Sequence, residues 1–343
     1  ARAKASAELA LHELDYETAF AALLQWVESL KAMSRHDQAL LVAESLMRES
    51  IRSGQSGDIV NARAVVAGAY CNTGRLYDAG EEMLRAVAEG SRGAVPQRDL
   101  IQMEAQAAMI RALSTGEYAR AIESLSRNAI AQSEWLSDRV ESRGNLAVAL
   151  LECGRVQRAM PLIRYVLIHG TTYQRSAFSA LSAQLQCAQG AVPDVVGLFR
   201  EAHRYSIECG AEYDLAVNRT YESVCLRAAA LHDQALCAAE RAFEVLSSLD
   251  FMGFRRLAAL EIAASMLALG DVSSARRWTE SYECTDDNYN AYHALRASMI
   301  LAECDRREDD FATAVTRIAR HIDHILSESS NWQIAMYIRA FPG

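Results

Sequence analysis

A spacing of about 39 residues constrains this chain more than any other feature. Small residues recur at Ala39, Ala79, Ala121, Ala159, Gly197, Ala235, Ala275 and Ala314, at intervals of 40, 42, 38, 38, 38, 40 and 39. Gly74, Gly116, Gly154 and Gly270 each stand five residues before one of these marks. A second echo is almost literal: His36-Asp-Gln-Ala-Leu40 returns as His232-Asp-Gln-Ala-Leu236. Self-similarity at such a period implies one small unit, repeated, that buries its faces against its neighbours.

Each unit reads as two helices. Between Ser142 and Cys153 the apolar residues are Leu146, Ala147, Leu150 and Leu151, one helical face. Gly154 then supplies a left-handed residue that ends the helix. Val156, Ala159, Met160, Ile163 and Val166 form a second stripe. Pro161 falls inside it, which predicts a late helix start or a kink. A small residue at each mark lets the paired helices approach closely, where a larger one would cost roughly 1–3 kcal/mol. With only 4 Pro in 343 residues and 51% hydrophobic residues, the reading is all-α: an α-α superhelix of about eight helical hairpins. Residues 16–328 carry the repeats, 1–15 an N-terminal capping helix and 329–343 a C-terminal cap, all in one solenoid spanning 1–343. The chain opens on Ala1 and closes on Gly343, which reads as a piece of a larger protein.

The charge balance is acidic, 35 Lys+Arg against 44 Asp+Glu for a net −9. That argues against direct nucleic-acid contact, which needs clustered positive charge. No run approaches the roughly 18 apolar residues of a membrane helix, and no signal peptide is visible. The eight cysteines are scattered without a Cys-x-x-Cys. They read as buried free thiols in a reducing, cytoplasmic setting.

No motif carries chemistry. Ser53-Gly-Gln-Ser-Gly-Asp58 lacks the Gly-Lys-Ser/Thr of a phosphate loop and reads as a polar turn. His321 and His324 lie one helical turn apart, but no third ligand at fixed spacing accompanies them, so no metal is expected. The pairs His36-Asp37 and His232-Asp233 precede helices, where Asp is a good N-cap. No nucleophile elbow or triad spacing occurs. The chain reads as a binding protein without enzymatic activity or cofactor.

Tyr70, Gly74 and Ala79 resemble the tetratricopeptide (TPR) pattern, with an aromatic late in the first helix, Gly at the turn and Ala early in the second. Gly154 with Ala159, Gly116 with Ala121 and Gly270 with Ala275 follow it. The period exceeds the roughly 34 residues of that family, and its early Trp and closing Pro are missing. The longer helices resemble the TPR-like sensor domains of MalT-like transcription activators, which are signal-transduction ATPases.

The resemblance implies a concave groove lined by first helices, with groove-facing positions about 18, 15, 11 and 8 residues before each mark. Carried over, these include Glu141, Ser179, Gln186, Thr220, Arg227 and Arg296. The last hairpin adds Met299, Glu303 and Arg306, and Leu257, Leu260, Ala264 and Leu267 form an apolar patch. Arg219, Arg227 and Arg296 are the expected anion or carboxylate contacts. The resemblance further implies a sensor or interaction module of a multidomain bacterial regulator. Its partner would be a protein, a peptide or a small effector. A pure protein scaffold and a TPR-type peptide receptor are the alternatives.

Overall fold

The computed structural model describes residues 4–6, 9, 16–32, 35–115, 118–131, 136–190, 194–249, 252–282 and 291–319. The chain divides into two compact units, Ala1–Ala131 and Gln132–Gly343. All described regular structure is helical.

The first unit holds three hairpins. They are α1 (Tyr16–Ala32) with α2 (His36–Ser53), α3 (Ser56–Asn72) with α4 (Leu76–Glu89), and α5 (Gln97–Thr115) with α6 (Tyr118–Ala131). A short π-turn, Gly90–Ala94, links α4 to α5. Leu23, Val27 and Leu30 of α1, Ala43 and Leu46 of α2, and Val66 and Ala69 of α3 share one core. Val60 and Ala67 of α3 meet Met83 and Ala86 of α4 and Met103 and Ile110 of α5 in the next.

The second unit holds five hairpins. Their first helices are α7 (Leu136–Glu152), α9 (Thr172–Ala188), α11 (Glu212–Ala228), α13 (Met252–Ala268) and α15 (Ala291–Arg307). Their second helices are α8 (Val156–His169), α10 (Val195–Glu208), α12 (His232–Ser248), α14 (Val272–Tyr282) and α16 (Phe311–Ala319). Within the unit, α9 packs on α11, α11 on α13 and α13 on α15.

One turn device closes the hairpins. Gly74, Gly154 and Gly270 take φ of +81°, +68° and +93°, as the spacing predicts for a left-handed stop. The next residue's N–H then reaches back over the turn: Arg75 to Tyr70 O at 2.9 Å, Arg155 to Leu150 O at 2.8 Å, Asp271 to Met266 O at 3.0 Å. Ala230 and Asp309 occupy the same left-handed position at φ 60° and 64°, where a side chain makes that conformation less favourable. Their chains make the same bond, Leu231 to Leu226 O and Asp310 to Asp305 O, both at 2.9 Å.

Seven of the eight marks are buried, with Ala79, Ala159, Ala235 and Ala275 fully so. They sit where the paired helices approach. Ala235→Leu is expected to cost about 1–3 kcal/mol through overpacking, read as a lower urea midpoint. An unchanged midpoint would mean that α11 and α12 leave space there.

Gly197 is different. It is half-exposed, and a Cβ there would stand 2.0 Å from Asp194 Oδ2. Its smallness makes room for the N-cap, in which the Asp194 carboxylate accepts from Gly197 N at 2.8 Å. Helix α9 is capped more fully: Thr171 and Gln174 form a reciprocal capping box.

Four further expectations change. Asp37 and Asp233 lie inside the first turns of α2 and α12, whose N-cap positions are Arg35 and Leu231. They complement the helix dipole there and do not cap. Helix α8 starts at Val156 with Pro161 inside it, so no late start occurs. Cys209 and Cys237 are exposed, and among the described cysteines only Cys187, Cys225 and Cys304 are buried. Leu257, Leu260, Ala264 and Leu267 are core residues at most 3% exposed, because α13 is buried at every residue from 257 to 265. It lies between α11, α12, α14 and α15, so no side is left for a groove.

Gly116, Cys284, His321, His324 and the expected C-terminal cap lie outside the described residues, as does most of the N-terminal one.

Candidate binding surface

In the second unit α11 and α13 are each enclosed by their hairpin partner and by the first helices before and after, and α9 lies between α8, α10 and α11. Polar side chains on these helices are therefore buried, and a buried polar group must find a partner. The contacts they make define what the surface has left to offer.

Helices α9, α10 and α11 are tied by a buried trio. Ser176 and Ser206 share a hydrogen bond of 2.7 Å. Asn218 Nδ2 donates to Ser176 Oγ at 2.9 Å and to Ser206 Oγ at 3.1 Å. Helices α11, α13 and α15 are tied by charge. Arg227 Nη2 lies 2.9 Å from Glu261 Oε2, and Arg296 Nη1 lies 3.3 Å from Glu261 Oε1. The Glu261 carboxylate is fully buried, and the two arginine side chains are 1% and 7% exposed. One carboxylate thus spans three consecutive hairpins.

A third cluster joins α10 to α11. His203 Nε2 lies 3.5 Å from Glu222 Oε2. Burial pushes Glu222 up to about 7, against the pull of Arg219 and Arg241. Burial, aided by Arg219, holds His203 down at about 4. At neutral pH this contact joins a neutral imidazole to a carboxyl that is only partly ionised. His293 on α15 is likewise kept neutral, lowered to about 3 by burial and then by Arg296 and Arg256.

The expected groove residues fall into two sets. Thr220 is buried and donates to Ala216 O at 3.0 Å. Arg227 and Arg296 form the Glu261 bridge, and Ser179 is 9% exposed. The structure encloses these four, because neighbouring first helices close over the positions that the resemblance assigns to a groove wall. Glu141 and Gln186 are exposed and Arg219 is half-exposed. Arg219 makes no hydrogen bond or ion pair with another described residue, although its charge reaches His203 and Glu222. In the last hairpin, Met299, Glu303 and Arg306 meet along an open apolar groove of about 440 Å³ whose other wall is Phe311, Val315 and Ile318. Glu303 is held below its usual range, burial notwithstanding, by Arg306 and Arg307, which bond it at 2.6 and 2.8 Å.

Glu261, Glu222 and His203 escape sequence reasoning. For Glu261 a signal exists: it is the one charged residue between Arg256 and Asp271. A lone carboxylate in so apolar a helix must meet a cation. For the other two, nothing in the sequence marks burial.

Among the described residues, no cluster of three or more metal-ligating groups occurs. No described helix is long and apolar enough to cross a membrane.

No protein-family model matches the chain, and no curated protein matches it. Solved structures do. The apo form of the quorum sensor NprR from B. thuringiensis superposes with a TM-score of 0.56 at 11% identity, over 92% of this chain and 91% of that one. A signal-transduction ATPase with a tetratricopeptide repeat sensor, PH0952 from Pyrococcus horikoshii, gives 0.52 at 10% identity over 96% of this chain. This chain spans 54% of that protein. The apo form of RapI gives 0.51 at 10% identity, over 94% and 96%. At such identities the likeness is one of fold. Among the described residues the fold is an all-α series of helical hairpins, similar to that of these tetratricopeptide-type structures.

Proposed function

We propose that the chain is the sensor or interaction module of a multidomain bacterial signalling or transcription regulator. It binds a peptide, a protein segment or a small effector on the concave face where the first helices α9 and α11 of the second unit stay exposed. One observation carries the reading. The buried Glu261 carboxylate is shared by Arg227 and Arg296, whereas Gln186 on α9 and Arg219 on α11 keep exposed surface. A face whose inner charges are already paired is rigid, and rigid faces bind with little ordering cost. The fold likeness to a quorum sensor and to a protein with a tetratricopeptide sensor supports this reading over catalysis. So does the absence of any triad or elbow spacing. A cytoplasmic site of action belongs to the same proposal.

Arg219 is the anion contact in this reading, suited to a carboxylate. A screen of the chain against a fluorescent peptide library tests it. Arg219→Ala is expected to weaken the selected peptides about tenfold, or about 1.4 kcal/mol, and amidation of the peptide's carboxyl terminus to weaken wild type alike. Binding untouched by Arg219→Ala and by Gln186→Ala, with amide-exchange protection confined to second helices, would remove the face from consideration.

A further inference from the structure

Cys187 on α9 and Cys225 on α11 are 38 residues apart, and each stands ten residues before its own mark, Gly197 or Ala235. The repeat therefore sets them at one height on first helices that pack together. Each thiol shifts the ionisation of the other, as expected for neighbours across a helix–helix contact. Both are free and buried, 6% and 0% exposed. The same register gives Ala149 on α7, Ser265 on α13 and Cys304 on α15. Ser265 interrupts the row, and Cys304 donates to Val272 O at 3.9 Å. The register thus places a single pair of cysteines on adjacent first helices.

We propose that Cys187 and Cys225 are a redox-active dithiol, which a hydroperoxide oxidises to a disulfide that staples α9 to α11. The Cys187 sulfur attacks one peroxide oxygen and the O–O bond breaks. A sulfenic acid forms on Cys187, and the other oxygen leaves as water or an alcohol. The Cys225 sulfur then displaces the hydroxyl from that sulfenic acid, closing the S–S bond and releasing water. The two sulfurs together lose two electrons, the peroxide gains them, and both thiol protons leave in the products. Cys187 is the attacking sulfur because it is the more accessible of the two, 6% exposed against 0% for Cys225. This site is independent of what the first-helix face binds.

The reduced full chain, treated with hydrogen peroxide, alkylated and mapped by mass spectrometry, tests the proposal. The expected product is an intramolecular Cys187–Cys225 crosslink, lighter by two hydrogens and reversed by dithiothreitol. Two of the eight thiols disappear, and the chain runs faster on a non-reducing gel. In Cys225→Ser, Cys187 is expected to accumulate a dimedone-reactive sulfenic acid. In Cys187→Ser, Cys225 is not. The proposal fails if peroxide consumes the exposed Cys209 and Cys237 while Cys187 and Cys225 remain alkylatable in the unfolded chain. It also fails if the crosslink joins other cysteines. The wild-type map needs no variant to fold.

Discussion

A chain carrying both Arg227→Met and Arg296→Met is expected to lose at least about 3–5 kcal/mol of stability, the usual cost of stranding a buried charge. Glu261 is fully buried, and its carboxylate bonds those two guanidiniums across α11, α13 and α15. Without them it must ionise without a counter-charge in an apolar helix or take up a proton, and both are unfavourable. Adding Glu261→Leu is expected to restore most of the loss, because a well-packed apolar trio of similar volume is often as stable as a buried ion cluster. The triple variant should therefore be far more stable than the double, a non-additivity that marks one coupled network. Urea unfolding of the three proteins measures it. A double variant within 1 kcal/mol of wild type would mean that the bridge contributes little.

The second large effect concerns Glu222 and changes with pH. Its folded-state value is raised from the usual 4.5 to about 7. A raised carboxyl favours the folded state when protonated and opposes it when ionised. The cost is thus fully present above pH 7 and disappears as pH falls through 7 towards 4.5. The shift corresponds to about 3 kcal/mol at 1.36 kcal/mol per unit, and Glu222 is only 8% exposed, so screening by solvent is slight. Glu222→Gln keeps the shape and removes the charge. It is expected to be about 2–3 kcal/mol more stable than wild type at pH 8. The advantage should shrink through pH 7 and approach zero near 4.5. His203, whose lowered value acts in the opposite sense below 6.5, is present in both proteins and largely cancels in the difference. A constant difference across that range, or a variant less stable at pH 8, would show that Glu222 ionises normally.

The repeat was readable because its signals are local. A left-handed glycine, an alanine five residues later and a 3.6-residue stripe act within one hairpin, so Gly74, Gly154 and Gly270 end helices where the spacing puts them. The candidate face was harder to read. Thr220, Arg227 and Arg296 occupy the register of a groove, but register fixes a direction and not an exposure. Exposure depends on how tightly the next first helix closes, some 35 residues further along the chain for Arg227 and Glu261. Gly197 shows the same gap at small scale. Its position in the repeat was legible, while its reason, room for the Asp194 cap, required the side chain in place.

The sequence alone determined the all-α class, the hairpin as building block, the period and the small residues at its marks. Each follows from propensities and periodicities acting over fewer than about 40 residues. Only the tertiary structure decided which charges meet. Glu261 bridges Arg227 and Arg296, Glu222 is held part-protonated beside His203, and Cys187 and Cys225 lie buried on two helices that pack together. Charge pairing and desolvation depend on distances of a few ångströms between chain segments far apart in sequence, and a linear pattern carries no such distances.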